Sequence, residues 1–362
     1  MYDQIREDPL YIMLYAVVTA LAILASCYLL FGRANVIAPD IKPPMRLRRW
    51  TAAFFASFAL NHLWYMPILF DISSEDVAMI DLTGGLLDCL TIIPLVIVVL
   101  FAMLQDRQRP LWIVAAMMAP LVVGMVWSIA YRSYALQPIG YVYFLIMCIG
   151  LSIYMVRAVR QYGKWLRNNY ADLEHKEVWV SHMLVIIILI IIIIDGFEYL
   201  NITVCCFVQL IEMVFVGLLL WRVETLPQLE STPAEQRTLK QEQSMVIPSN
   251  IEQLLTEHCV NTKLYLKHDL TLLQLAQAIG TNRLYLSQYF SRQGITYNAY
   301  INDLRISYFM SLYHEKTAAG QPIVAQQLAS ASGYRSYSTF SLAFKQRTGQ
   351  SVTAWLHSQS TD

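Results

Sequence analysis

Charge is scarce in this chain: Asp, Glu, Lys and Arg together make up 14% of its 362 residues, against 56% apolar residues. An ordinary soluble globular composition is thereby excluded. No CxxC or metal-ligand spacing relates the six cysteines Cys27, Cys89, Cys148, Cys205, Cys206 and Cys259. Zinc modules and dithiol redox centres are not expected, and the vicinal pair Cys205-Cys206 reads as small apolar packing rather than a redox sensor. There is no Ser/His/Asp grouping, no phosphate loop and no metal motif. Hence no catalytic residue, cofactor or metal ligand is expected, and the chain does not read as an enzyme. Two halves related by an internal repeat, the usual mark of a transporter, are also missing.

What is present falls into two unlike parts. Seven apolar windows lie near 10–31, 50–70, 83–104, 111–131, 138–156, 178–197 and 202–221. Each is long enough to cross a hydrocarbon layer of ~30 Å as a helix, which takes roughly 20 residues. Helices are required because an open strand in lipid would leave its amides unpaired. Pro67, Pro94 and Pro120 interrupt three windows and are compatible with kinked helices. Leu24-Ala25-Ser26-Cys27 has the look of a lipoprotein processing box. However, Asp3, Glu7 and Asp8 occupy the place of a basic leader and the apolar run continues through Phe31, so an uncleaved helix is expected.

Lys and Arg set the expected orientation. Arg33, Lys42, Arg46, Arg48, Arg49, Arg107, Arg109, Arg157, Arg160, Lys164, Arg167 and Lys176 all fall on one side of the windows. Only Arg6 and Arg132 fall on the other, beside the acidic run Asp71, Glu75, Asp76 and Asp81. The positive-inside bias places the N-terminus outside and, after an odd number of crossings, the C-terminus in the cytoplasm. Several polar residues lie at membrane depth: Asn61, His62, Asp88, Asp195, Glu198, Gln209 and Glu212. Two readings stand for them. Asn61, His62, Asp88, Asp195 and Glu212 line a polar core or outward pocket where a stimulus is sensed, or Asp88, Asp195 and Glu198 sit solvated at the interface; an interior role is favoured for His62 and Glu212.

Composition changes abruptly after the last window. Residues 226–248 carry Pro227, Pro233 and Pro248 among Glu, Gln, Ser and Thr, the pattern of a polar tether. Residues 249–362 hold 9 Lys/Arg against 6 Asp/Glu, a net of +3 that the neutral whole-chain charge conceals. A helical pattern resumes with Ile251, Leu254, Leu255 and Cys259 on one face. In Leu272-Leu-Gln-Leu-Ala-Gln-Ala-Ile-Gly280, Ala276 is small where two helices must cross and Gly280 suits a left-handed turn. A helix over 282–292, opened by Asn282, then buries Leu286 and Phe290 and turns Arg283, Leu284, Ser287, Gln288 and Arg292 outward. The pattern repeats with one extra residue in the turn, Ala329, Gly333, Phe340 and Phe344 matching Ala276, Gly280, Leu286 and Phe290. A long amphipathic helix, 296–315 with Tyr300, Leu304, Tyr308 and Leu312 on its stripe, joins the two copies.

This C-terminal stretch, residues about 251–357, resembles the AraC/XylS family of transcriptional regulators. The likeness is carried by Leu275, Ala276, Gly280, Tyr285, Leu286, Ser287, Phe290, Tyr300 and Arg305, and continues through Gly333, Tyr334, Ser336, Ser338, Phe340, Phe344, Lys345 and Gly349. The resemblance implies sequence-specific binding of double-stranded DNA and contact with RNA polymerase. It assigns groove-facing places to Arg283, Leu284, Ser287 and Gln288 in the first copy and to Tyr337, Ser338, Ser341 and Leu342 in the second. Gln288 suits adenine and Arg283 guanine or phosphate, whereas Leu342 offers only apolar contact. Lys345 and Arg347 suit phosphates, and Arg305 suits a structural role.

The expected architecture is all-α: a seven-helix membrane bundle over residues 1–225, a tether over 226–248 and a tandem helix-turn-helix domain over 249–362. The function that follows is a membrane-anchored one-component regulator of transcription, sensing an unidentified signal in the bilayer part and binding DNA as a homodimer. Dimerisation is expected because a charge of +3 supports only weak phosphate affinity. The alternative is a transporter or channel with a DNA-binding tail, in which His62, Asp88 and Glu212 bind substrate. Release of the tail by proteolysis in the tether also stays open.

Overall fold

The computed structural model describes residues 7–70, 73–174, 176–179, 183, 201–229 and 250–360. They are helical, with one isolated antiparallel bridge, Tyr170 to Thr271, and no strand among the described residues. The chain divides into two compact units, one formed by Met1–Tyr162 and Val178–Ser231, the other by Gly163–Glu177 and Thr232–Asp362.

Helices α1 (Pro9–Phe31), α2 (Met45–Tyr65), α3 (Ser74–Leu90), α4 (Ile92–Met103), α5 (Trp112–Tyr131) and α7 (Ile202–Thr225) build the first unit, together with most of α6 (Gln137–Asn169). Their ends follow local rules. The Asp8 carboxylate accepts the Tyr11 amide and Pro9 occupies the first turn of α1, while Ser73 and Asn201 cap α3 and α7. Pro67 converts the end of α2 into a 3-10 turn, Met66–Leu69. Pro94 lacks the N–H that would bond back across Thr91, and there the helix breaks into α3 and α4. Pro120 lies inside α5 without interrupting it.

Six helical stretches among the described residues are long and apolar enough to cross a membrane: Pro9–Phe31, Met45–Leu69, Glu75–Met103, Trp112–Tyr131, Gln137–Asn169 and Ile202–Thr225. They correspond to six of the seven expected windows, and α1 runs unbroken through Cys27. The window 178–197 lies almost wholly outside the described residues, as do Asp195, Glu198, Asp71 and most of the tether. The helices expose large apolar side chains such as Leu24, Phe31 and Val123 at 65%, 76% and 68%. Such a surface suits lipid and not water. Helices α1 and α2 pack together and bury small residues, Ala22, Ala25, Ser26, Ala52 and Ala59, among larger ones such as Leu47 and Phe55. The Ser26 hydroxyl donates to the Ala52 carbonyl at 2.9 Å, a contact that needs close backbones.

The second unit comprises α8 (Ile251–Leu255, continued by a wider turn to Val260), α9 (Leu272–Ala278), α10 (Arg283–Arg292), α11 (Tyr297–Ala318), α12 (Ala325–Ala331), α13 (Tyr337–Thr348) and α14 (Val352–Ser360). Two apolar cores share the long helix α11. Leu255, Cys259, Leu275, Ala276, Leu286, Phe290, Tyr297 and Ile301 form one, and Ile306, Phe309, Leu328, Ala329, Phe340, Phe344 and Trp355 the other. The buried row of α11 is Tyr297, Ile301, Arg305, Phe309 and Tyr313. The expected stripe Tyr300, Leu304, Tyr308 and Leu312 flanks it half-buried, because the deepest row starts one turn edge earlier and contains a charged residue that a hydrophobicity pattern discounts. Fifteen residues from the end of α6 and its following loop, Gly163–Glu177, pack with this unit and not with the first.

Candidate nucleic-acid interface

Each helix-turn-helix is fixed by a small residue, a left-handed glycine and a polar cap. Ala276 and Ala329 are buried at the helix crossings. Gly280 has φ +71° and Gly333 φ +88°. A Cβ at Gly333 would stand 2.8 Å from the Leu266 backbone, whereas one at Gly280 meets nothing within 4 Å. Glycine is therefore required twice over in the second turn and once in the first. The Asn282 and Ser336 side chains accept the Tyr285 and Thr339 amides and start α10 and α13.

Leu286 and Phe290, and likewise Phe340 and Phe344, anchor the recognition helices inward. Of the expected groove-facing residues, Leu284, Gln288, Arg292, Tyr337, Ser338, Leu342, Lys345 and Arg347 are exposed, and Arg283, Ser287 and Ser341 are half-buried. Arg347 pairs with Asp303 at 2.7 Å, both side chains about half exposed. Leu342 is 61% exposed on α13.

Arg305 is a structural residue. It is 1% exposed, and its guanidinium donates to the carbonyls of Tyr265 at 2.8 Å, Lys267 at 2.7 Å and His268 at 3.2 Å. Its charge also lies 5.5 Å over the Tyr334 ring. Burial pushes this guanidinium below its usual pKa, opposed by neighbouring Tyr334 and Tyr297. One cation thus ties the loop 265–268 to the helix joining both copies. Cys259 is sealed in the first core, and burial pushes its thiol up to about 11. A thiol so raised is unreactive at neutral pH.

Residues 168–176 were invisible as part of this interface from sequence, where they read as a basic inner loop. Asn169 accepts from Arg283 Nε at 2.9 Å and Nη2 at 2.6 Å. The Ala171 amide donates to the Leu270 carbonyl at 3.1 Å, and Asn298 Nδ2 donates to the Ala171 carbonyl at 2.7 Å. Thr339 Oγ1 donates to Glu174 Oε2 at 3.2 Å, and Lys176 reaches Asp269 at 3.4 Å. The one sequence signal was the length of the interval between the fifth and sixth apolar windows, 157–177, longer than a turn between helices requires.

Four of the five candidate sensing residues form two pairs from adjacent positions of α2, and the fifth, Asp195, lies outside the described residues. Asn61 Nδ2 donates to Asp88 Oδ1 at 2.6 Å, linking α2 to α3. His62 Nε2 stands 3.4 Å from Glu212 Oε2 of α7, its Nδ1 lies 3.2 Å from the Phe58 carbonyl, and the Tyr15 hydroxyl of α1 donates to the His62 carbonyl. The Tyr15 and Phe58 rings cover the imidazole at 4.7 and 4.5 Å. This is a packed polar core joining three helices. Sequence reading missed a second one: Arg48 Nε meets Glu224 Oε1 at 2.9 Å with side chains 7% and 0% exposed, Tyr28 donates to the same carboxylate at 3.3 Å, and Asn35 donates to the Glu224 carbonyl at 2.8 Å. Arg48 was legible only as one positive charge among several.

Residues 275–358 match the family described as a helix-turn-helix domain, of the AraC type. The C-terminal unit thus carries a helix-turn-helix domain, a DNA-binding fold. Comparison with curated proteins and with solved structures gave no match.

Proposed function

We propose that the protein is a membrane-anchored, one-component transcriptional regulator without catalytic activity, whose bilayer bundle controls a cytoplasmic DNA-binding domain. The single observation that carries this reading is a tandem helix-turn-helix domain on the same chain as six bilayer-length apolar helices. The Lys/Arg bias supports an outside N-terminus and a cytoplasmic C-terminus, the compartment of the chromosome. Packed cores such as His62–Glu212 and Arg48–Glu224 support signal sensing in the bundle, since buried ionisable groups are costly in lipid and have two discrete arrangements, paired or parted. Homodimerisation and RNA polymerase contact belong to the same proposal, the first by avidity and the second by the AraC resemblance.

Two recognition helices joined by a shared α11 suit successive major-groove faces about one helical turn, ~34 Å, apart. Genome-wide DNA capture with the intact membrane protein tests the reading. A shared motif with two half-sites in that spacing is the expected result; random recovery, or an exterior C-terminus by protease accessibility in sealed vesicles, overturns it.

A further inference from the structure

The reading ends of both recognition helices are occupied by the chain's own segment Asn168–Lys176. Arg283 is the first residue of α10, the end that enters a groove. Its guanidinium is bonded through two nitrogens to the Asn169 carboxamide oxygen, an arrangement that a guanine edge or a phosphate would have to replace. Asn168 lies in the adjoining cleft beside Ser287, Ser291 and Gly294. At the other copy, Thr339 is in the first turn of α13, and the Glu174 carboxylate is bonded to it. A carboxylate held there lies at the positive end of the helix dipole and repels an approaching DNA phosphate.

The segment is held from behind by well-formed contacts. Ala171 is 2% exposed within the first core, Asp172 is 5% exposed, and the Tyr170–Thr271 bridge lies beside the Asn298 bonds to the Tyr170 and Ala171 carbonyls. Lys176, stacked 5.6 Å from the Tyr170 ring, closes the far end on Asp269. A segment with only a connecting role would not bury Asn169 and Asp172 within the helix-turn-helix unit.

Its origin supplies the control. The segment is the direct continuation of α6, a 33-residue helix whose span outruns a bilayer: at 1.5 Å per residue it extends about 50 Å, against ~30 Å of hydrocarbon. Displacement or rotation of α6 is therefore transmitted through Asn168 and Asn169 without crossing the proline-bearing tether. We infer that Asn168–Lys176 is an autoinhibitory cover, which shields Arg283 and the start of α13 from DNA until movement of α6 withdraws it. This rests on the DNA-binding reading proposed above. The cover competes with the duplex for the same atoms, so any stimulus that binds the withdrawn state of the bundle better also raises DNA affinity.

The test uses full-length protein in nanodiscs and a duplex selected from a random-sequence pool by the release variant Asn169→Ala/Glu174→Gln. A second variant, Tyr170→Cys/Thr271→Cys, pins the bridge pair by a disulfide, since partners in an antiparallel bridge stand at disulfide-compatible separation. Its reduced form controls for folding. Expected are an affinity of the release variant about tenfold above the unmodified chain and a loss of similar size when the pinned variant is oxidised, reversed by reductant. Equal affinity of the oxidised and reduced pinned protein, or of the release variant and the unmodified chain, overturns the cover while leaving DNA binding intact. Failure of every form, including the release variant, to prefer any duplex overturns the DNA-binding reading and the cover with it.

Discussion

The two units bury charge in different ways. In the bundle of bilayer-length helices, buried Arg48 has a carboxylate partner, Glu224, and the His62 imidazole lies against the carboxylate of Glu212. In the DNA-binding unit, the deepest cation, Arg305, is hydrogen-bonded to three neutral carbonyls and lies over an aromatic face, and the carboxylates of Asp172 and Asp269 act on it only through space. The surroundings explain the difference. In the bilayer setting proposed above, a charge has no water to retreat to and gains from an opposite charge, whereas in the DNA-binding unit a guanidinium exchanges solvent for carbonyls that secondary structure leaves unbonded. On the regulatory reading proposed above, the interhelical pairs are the contacts that part on signalling, and the Arg305 contacts hold the DNA-binding unit together.

The largest effect that would break this contrast is at Arg48. Arg48→Ala leaves Glu224 buried alone and should destabilise the bundle by about 3–5 kcal/mol, while Arg48→Met with Glu224→Leu recovers most of the loss. Thermal unfolding in detergent separates the cases, and an unimproved double variant would show that the pair is more than a replaceable link. Arg305→Met should cost the DNA-binding unit about 3 kcal/mol by orphaning the carbonyls of Tyr265, Lys267 and His268. Denaturant unfolding followed at Trp355, a core residue of that unit, reads it directly.

Next in size is the asymmetry between the two turns. Gly333→Ala should cost about 2–3 kcal/mol, from left-handed backbone strain plus collision with Leu266, and Gly280→Ala about 1 kcal/mol from strain alone. Equal losses would deny the collision. On DNA, Gln288→Ala should relax one base preference by about 1–3 kcal/mol, while Lys345→Ala weakens all duplexes alike; binding to an arrayed set of single-base operator variants distinguishes the patterns. Smallest, Arg347→Ala should change stability by about 1 kcal/mol or less, because its pair with Asp303 is half exposed. Its measurable effect should be a shallower salt dependence of DNA binding.

Local rules made much of this legible. The cap at Asn282, the left-handed glycines Gly280 and Gly333, and the inward phenylalanines were readable because each depends on neighbours within one or two turns. The bilayer-length helices were readable for the same reason, apolar length being a property of a contiguous run. The buried row of α11 was displaced from the expected one because Arg305 counts as polar in a pattern yet becomes buried when carbonyls from residues 265–268 converge on it. Asn169 and Glu174 escaped notice because their partners lie more than a hundred residues away.

The order of apolar and polar residues along the chain thus determined, unaided, that it holds bilayer-length helices and a paired helix-turn-helix domain, since periodicity and capping are local physics. Only the tertiary structure decided which buried charges meet and that residues 163–177 belong with the DNA-binding unit. The reason is that a hydrogen bond or ion pair is specified by two surfaces brought together, and no single stretch of sequence contains both.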